Sequence, residues 1–373
     1  MKPSVYIPGL DGMRTISILL VILGHSGLTF VPGALGVTIF FFISGFLITN
    51  LLLIEQDASD RIDVKAFYIR RYLRLMPEMA FYVAVGLVAG LFLNALPSLL
   101  STLAALFYFT NYLKAFHVSG EVMPFVTGHF WSLAVEEHFY LTWPLAFSVL
   151  APNYRNMLGA LLAVLVVCFA WRLIIVTQGL FPASYIEFAS DTRFDSIAFG
   201  CICAVLFRKN PAFIARLASA RWLVLFAGAA LLFVPSLWRT VFGLNETFQE
   251  AARYTVQGAG FILCFIFLYR APPSWLQALI MRILETPLMR FCGRASYGAY
   301  IWHFAVIYIF MAAVGSLTPE EMSITNKLIC AAITAIVSMM LGHYSGKLVL
   351  GPFASLRRKF GSHVQVKSPV PAQ

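Results

Sequence analysis

The chain has 373 residues, 60% of them hydrophobic and 12% charged, with a mean hydropathy of +0.80. Soluble domains carry roughly 25% charged residues and a smaller apolar share, so a soluble globular protein is excluded and a polytopic membrane protein remains. The net charge of +10 does not indicate nucleic acid, because Lys and Arg fall between apolar runs, where membrane orientation explains them.

The opening stretch MKPSVYIPGLDGMRT lacks a basic segment running into an apolar core with a small-residue cleavage site, so the first apolar run is expected to be a retained span. Apolar runs predict an all-α integral membrane fold of about ten transmembrane helices. They fall near 13–31, 34–54, 76–95, 131–150, 157–177, 193–208, 221–238, 255–270, 297–315 and 325–347. The short run near 98–113 reads as re-entrant or interfacial. One transmembrane domain over 1–350 and a basic cytoplasmic tail over 351–373 is the simplest organisation. With the N-terminus in the cytoplasm, twenty Lys and Arg fall on cytoplasmic segments and four (Lys114, Arg239, Arg253, Lys327) on the other side, while Arg14, Arg172 and Arg193 stay within or at the edges of spans. This positive-inside pattern places both termini in the cytoplasm. The six cysteines form no CxxC pair and are expected to be packing residues.

Several charged residues lie where loops do not explain them. RTISILLVILGH, residues 14–25, carries Arg14 and His25 eleven residues apart. That is close to three helical turns, so both side chains leave one face, separated by about 16 Å. Arg14 then stands at the cytoplasmic mouth and His25 past the midplane. An intramembrane ionisable residue is costly in lipid and marks a functional site by default. In the second span, FFFISGFLI places Ser44 and Gly45 where small residues permit close helix packing. FYIRRYLRLMPEM carries Arg71 and Arg74 one turn apart at the cytoplasmic entry of the third span, a spacing suited to phosphate groups; Arg70 reads as an anchor.

The fourth span, HFWSLAVEEHFYL, is expected to enter from the outer side, with Glu136 about 8 Å below that surface. This predicts a Glu136–His25 pair at one depth, the carboxylate setting the tautomer of the imidazole. Glu137 points about 100° away, toward another polar cavity or the helix start. SDTRFDSIAFG sets Arg193 and Asp195 at the outer end of the sixth span. SYGAYIWHF places His303 in the inner leaflet of the ninth, with Tyr300 and Trp302 expected in an interfacial belt.

Taken together, these stretches resemble the membrane acyltransferase 3 family, which O-acylates bacterial surface sugars. Arg14 and His25 match its R-x10-H pattern. FFFISGFLI, Arg71 and Arg74 in the R-x-x-R position, WSLAVEEHFYL, TRFDSIAFG and SYGAYIWHF follow in the family's order over roughly residues 5–350. The family more often has Gln at the position of His138. The resemblance implies a cytoplasmic acyl-CoA donor, most often acetyl-CoA, and a saccharide acceptor such as exopolysaccharide, lipopolysaccharide or a lipo-oligosaccharide. It also implies the form without a C-terminal SGNH-type domain, in the bacterial cytoplasmic membrane, and contact with polysaccharide-assembly machinery.

On this reading Arg14, Arg71 and Arg74, with His303, contact the donor. His25 is the general base for the sugar hydroxyl, and Glu136 and Glu137 complete the catalytic group. Arg193, Asp195, Ser44 and Trp131 serve the acceptor or the polar interior. No metal and no permanently bound cofactor is implied. An acyl-histidine intermediate is the alternative route; no serine or cysteine stands in a nucleophile motif. The rival classes are a transporter or flippase of a lipid-linked sugar, for which no inverted pair of broken helices is found, and a non-catalytic scaffold, which leaves His25, Glu136 and Arg193 as unexplained costs in lipid.

Overall fold

A computed structural model describes residues 6–118, 125–237 and 246–360. Lys2, Arg239, Lys367 and the tail beyond residue 360 lie outside the described residues. Within them the chain forms α1 (Leu10–His25), α2 (Gly33–Ser59), α3 (Val64–Phe92), α4 (Leu99–Leu106) and α5 (Thr110–Ala115), then a 3-10 turn (Gly128–Phe130) leading directly into α6 (Trp131–Leu150). It continues through α7 (Tyr154–Gln178), α8 (Ala183–Phe188), α9 (Ser190–Lys209), α10 (Pro211–Ser219), α11 (Arg221–Leu237) and α12 (Glu246–Arg270). Last come α13 (Trp275–Leu284), α14 (Pro287–Val314), α15 (Ile324–Leu350) and the short α16 (Ala354–Lys359).

A helix occupies each of the ten apolar runs. Six of them, α2, α3, α7, α12, α14 and α15, are long and apolar enough to cross a membrane, and a seventh is reached if α8–α9 and α10, bent by 102°, count as one span. Among the described residues the expected ten therefore stands at six or seven by length and composition. The remaining helices fall short because α1 has 16 residues, α11 has 17 and α6 carries Glu136, Glu137 and His138 in its first half. The stretch near 98–113 is broken into the short helices α4 and α5.

Local signals set the ends. Asp63, Ser98, Asn153, Ser274, Thr286 and Ser323 cap their helices through side-chain oxygens, satisfying amide groups that the first turn leaves unpaired. Thr286–Pro287 is a cap followed by proline at the first helical position, and it starts α14 ten residues before the apolar run.

α2 is central: 67% of its most apolar stretch is buried, against 22% for the peripheral α7. It packs along α9, and the two run parallel, with Arg193 beside Thr38 near their starts and Lys209 bound to Asp57 near their ends. Their approach requires glycine, because a Cβ on Gly45 would lie 2.0 Å from the Ile197 carbonyl oxygen and one on Gly200 equally close to that of Phe42. α1 packs between α2 and α14, and α14 pairs with α15.

Candidate active site

α1 and α14 run parallel and meet at two polar rungs. At the lower rung Arg14 Nε donates to Ser296 Oγ at 3.1 Å. At the upper rung His25 Nδ1 and His303 Nε2 stand 3.0 Å apart. Ser296, Tyr300 and His303 are spaced i, i+4, i+7 and so share one face of α14. The eleven-residue separation of Arg14 and His25 puts both on the opposing face of α1, as the periodicity predicts.

The upper rung has a defined proton arrangement. His303 Nδ1 lies 2.6 Å from the Tyr300 carbonyl oxygen, which only accepts, so Nδ1 carries the hydrogen. In the neutral ring His303 Nε2 is then a bare acceptor. His25 Nδ1 must donate to it, which leaves the lone pair on His25 Nε2 free. One backbone carbonyl thus sets both tautomers, and the neutral His25 presents a proton-accepting nitrogen.

Here the structure corrects the sequence reading. His25 is held by His303 and not by Glu136. His303 lies sixteen residues beyond Pro287, about 24 Å along α14. It is therefore level with His25 and midway along α14 rather than in its first turns, because α14 begins ten residues earlier than its apolar run. The partner of His25 is thus the ring of His303. Tyr300 and Trp302 are 5% and 7% exposed, so neither belongs to an interfacial belt.

α6 begins deeper than expected. Its first turn is pinned to the middle of α14: Tyr300 Oη donates to the His129 carbonyl (2.7 Å), Ser132 Oγ donates to Tyr300 Oη (2.7 Å), and His129 Nε2 donates to the Ile301 carbonyl (3.1 Å). Glu136 and Glu137 are thereby carried past the histidines toward the Arg14 end. Arg71 meets both acids, through Nε to Glu137 Oε1 at 3.0 Å and through an Nη to Glu136 Oε2 at 3.7 Å. Its guanidinium also lies 3.4 Å above the Tyr140 ring, and Tyr140 Oη donates to Ser44 Oγ. The field of Arg14 reaches Glu136 as well. Two arginines and two carboxylates balance, which suits a low-dielectric interior. Of the two arginines expected at the donor phosphates, Arg71 is engaged by the acids and Arg74 lies exposed on α3.

Arg193 is 1% exposed. It donates to the Glu187 carbonyl (2.9 Å) and lies over Tyr254, with Phe41 and Trp131 also against it. Asp195 pairs not with Arg193 but with Arg172, at 2.6 Å, and neither side chain of that pair is exposed. Arg172 also donates to the Ala251 carbonyl and to Thr255 Oγ1. His138 faces away from His25; its Nδ1 stands 2.7 Å from Ser190 Oγ, which also receives Asn111 Nδ2.

Sequence reasoning missed His129 and the linking role of Tyr300. The signals were present: His129 sits two residues before Trp131, and Tyr300 shares the i, i+4, i+7 stripe with His303. The arrangement combines a bare imidazole nitrogen at one level with a charged cluster at the other, a layout that can remove a proton in an apolar interior while holding an anion at its base.

Comparison with known proteins identifies the family. Residues 7–343 match the acyltransferase domain family acyltransferase 3. The chain is similar to the peptidoglycan O-acetyltransferase OatA of Listeria monocytogenes, 28% identical over 361 residues, which cover 90% of this chain and 54% of that protein. It is similar to a putative O-acetyltransferase of Staphylococcus aureus, 31% identical over 336 residues, or 82% of this chain and 51% of that one. It is also similar to the O-acetyltransferase OatA of Staphylococcus aureus, 29% identical, with 95% of this chain and 60% of that protein covered. The chain thus spans about half the length of the curated relatives it matches. No solved structure gives a significant match. With the family's match running through nearly every helix of the fold, from before α1 into α15, the chain belongs to the acyltransferase 3 family.

Proposed function

We propose that this protein is a membrane O-acetyltransferase that moves an acetyl group from cytoplasmic acetyl-CoA to a hydroxyl of a saccharide at the outer side of the bacterial cytoplasmic membrane. Ten crossings with both termini in the cytoplasm belong to this reading. The parallel runs of α1 with α14 and of α2 with α9 support the alternation it needs. The glycan acceptor is a cell-surface polymer or lipid-linked sugar; the name of the Listeria relative adds peptidoglycan to that class.

The observation that carries the reading is the His25–His303 pair. His25 Nε2 takes the proton of the acceptor hydroxyl as its oxygen attacks the thioester carbonyl. The C–S bond breaks, and the proton passes to the CoA thiolate as it leaves. His303 shares the positive charge that forms on His25 in between. Arg14 and the exposed Arg74 contact the donor phosphates at the inner end. Arg71 holds Glu136 and Glu137 in place, and these acids offset the buried cations around the acyl path. Arg193, Trp131 and Asp195 shape the acceptor side. General-base assistance is worth about 10²–10⁴-fold, so His25→Ala loses at least that much turnover in proteoliposomes supplied with radioactive acetyl-CoA and saccharide. A correctly inserted His25→Ala protein with normal transfer overturns the assignment. Sugar uptake by wild-type vesicles without acetyl-CoA consumption would instead establish a transporter.

A further inference from the structure

The His129 ring is 2% exposed and sits beside the proposed catalytic pair. Its Nε2 donates to the Ile301 carbonyl oxygen, so in the neutral ring Nδ1 is a bare acceptor. That Nδ1 is buried and has no hydrogen-bond partner among the described residues. A buried polar atom left unpaired costs free energy, so its retention calls for a partner such as a water or a ligand group. The ring is not free to turn toward another partner. Its own bond to Ile301 holds one edge, while Tyr300 and Ser132 fix the backbone of the turn that carries it.

The neighbourhood says which ligand group belongs there. His129 and His25 flank His303, with ring centroids 5.1 Å and 5.2 Å from it. Phe304 lies against both, at 5.0 Å from His129 and 4.5 Å from His25. Two neutral imidazoles on either side of His303, each with one lone pair available, make two acceptors. The matching ligand offers two O–H donors.

We propose that His129 Nδ1 is an acceptor-binding site that receives a hydrogen bond from a second hydroxyl of the sugar whose first hydroxyl reacts at His25. This rests on the acyl-transfer reading above and adds to it a selection for polyhydroxylated rings over acceptors with a single hydroxyl. His129 binds; it does not abstract the proton. A site that accepts a hydrogen bond from a hydroxyl discriminates against the deoxy analogue, because the analogue leaves the buried nitrogen unpaired.

The test uses the full-length protein in proteoliposomes with radioactive acetyl-CoA and a panel of methyl pyranosides with their monodeoxy counterparts. Wild type is expected to transfer to at least one pyranoside and to lose about threefold to tenfold in KM for one particular deoxy form. His129→Phe keeps the ring's shape and removes both nitrogens. It is expected to raise the pyranoside KM by that same factor, to leave the acetyl-CoA KM unchanged, and to treat the pyranoside and that deoxy form alike. His129→Gln supplies both an N–H for Ile301 and an acceptor oxygen, and is expected to restore the discrimination; that rescue distinguishes binding from a structural role. If His25→Ala is inactive while His129→Phe keeps the wild-type preference, or loses only kcat, the His129 proposal is wrong and the parent reading stands. If wild type acetylates no pyranoside, or His25→Ala remains active, the parent reading falls and this proposal with it.

Discussion

Removing His303 isolates the tautomer argument from the base itself. In His303→Ala the His25 Nδ1–H loses its 3.0 Å partner, and the ring is no longer held with Nε2 bare. The charge that forms on His25 during proton abstraction also loses its acceptor. A hydrogen bond to a charged group is worth about 1.5–3 kcal/mol, which converts to about 10- to 150-fold in kcat. This is smaller than the full general-base contribution of about 10²–10⁴-fold, so His303→Ala should retain more activity than His25→Ala. The double variant should be no worse than His25→Ala alone, because residues acting as one unit are not additive. The assay is CoA release in proteoliposomes at saturating donor and acceptor, with expression and thermal melting in detergent confirming that each variant folds. Wild-type kcat in His303→Ala, or independent multiplicative losses in the double variant, would refute the coupling of the two rings.

Three further outcomes follow from the same structure. Arg172→Met leaves Asp195 buried without its counter-ion, with Thr255 Oγ1 still bonded to it, and should destabilise by about 3–5 kcal/mol, whereas Arg172→Met with Asp195→Leu should recover much of that; melting temperature in detergent measures both. Gly200→Ala forces a methyl group into the α2–α9 contact and should cost about 1–3 kcal/mol, while Gly159→Ala, which meets nothing within 4 Å, should be silent by the same measurement. Arg74→Ala should raise the KM for acetyl-CoA with little change in kcat, and Arg71→Ala should lower stability by leaving Glu136 and Glu137 side by side; the reverse pattern would exchange the roles given to these two arginines.

Amino-acid order alone settled a good deal. Composition excludes a soluble fold, and a helix stands in each of the ten apolar runs, because lipid solvates neither backbone nor charge and so forces both into view. The common face of Arg14 and His25 was also readable, since helical periodicity is a local property. So was the need for a small residue at Gly45. Partnership was not readable. Glu136 met Arg71, His25 met His303 and Asp195 met Arg172, because each choice depends on how deep a helix begins and how it is rotated against its neighbours. Hydropathy marks where a segment turns apolar; it is blind to a cap such as Thr286–Pro287 that lengthens α14, and to a turn at His129 that starts α6 in the interior. Those two depths are set by contacts between residues about 170 to 280 positions apart in the chain, and only the folded structure brings them together.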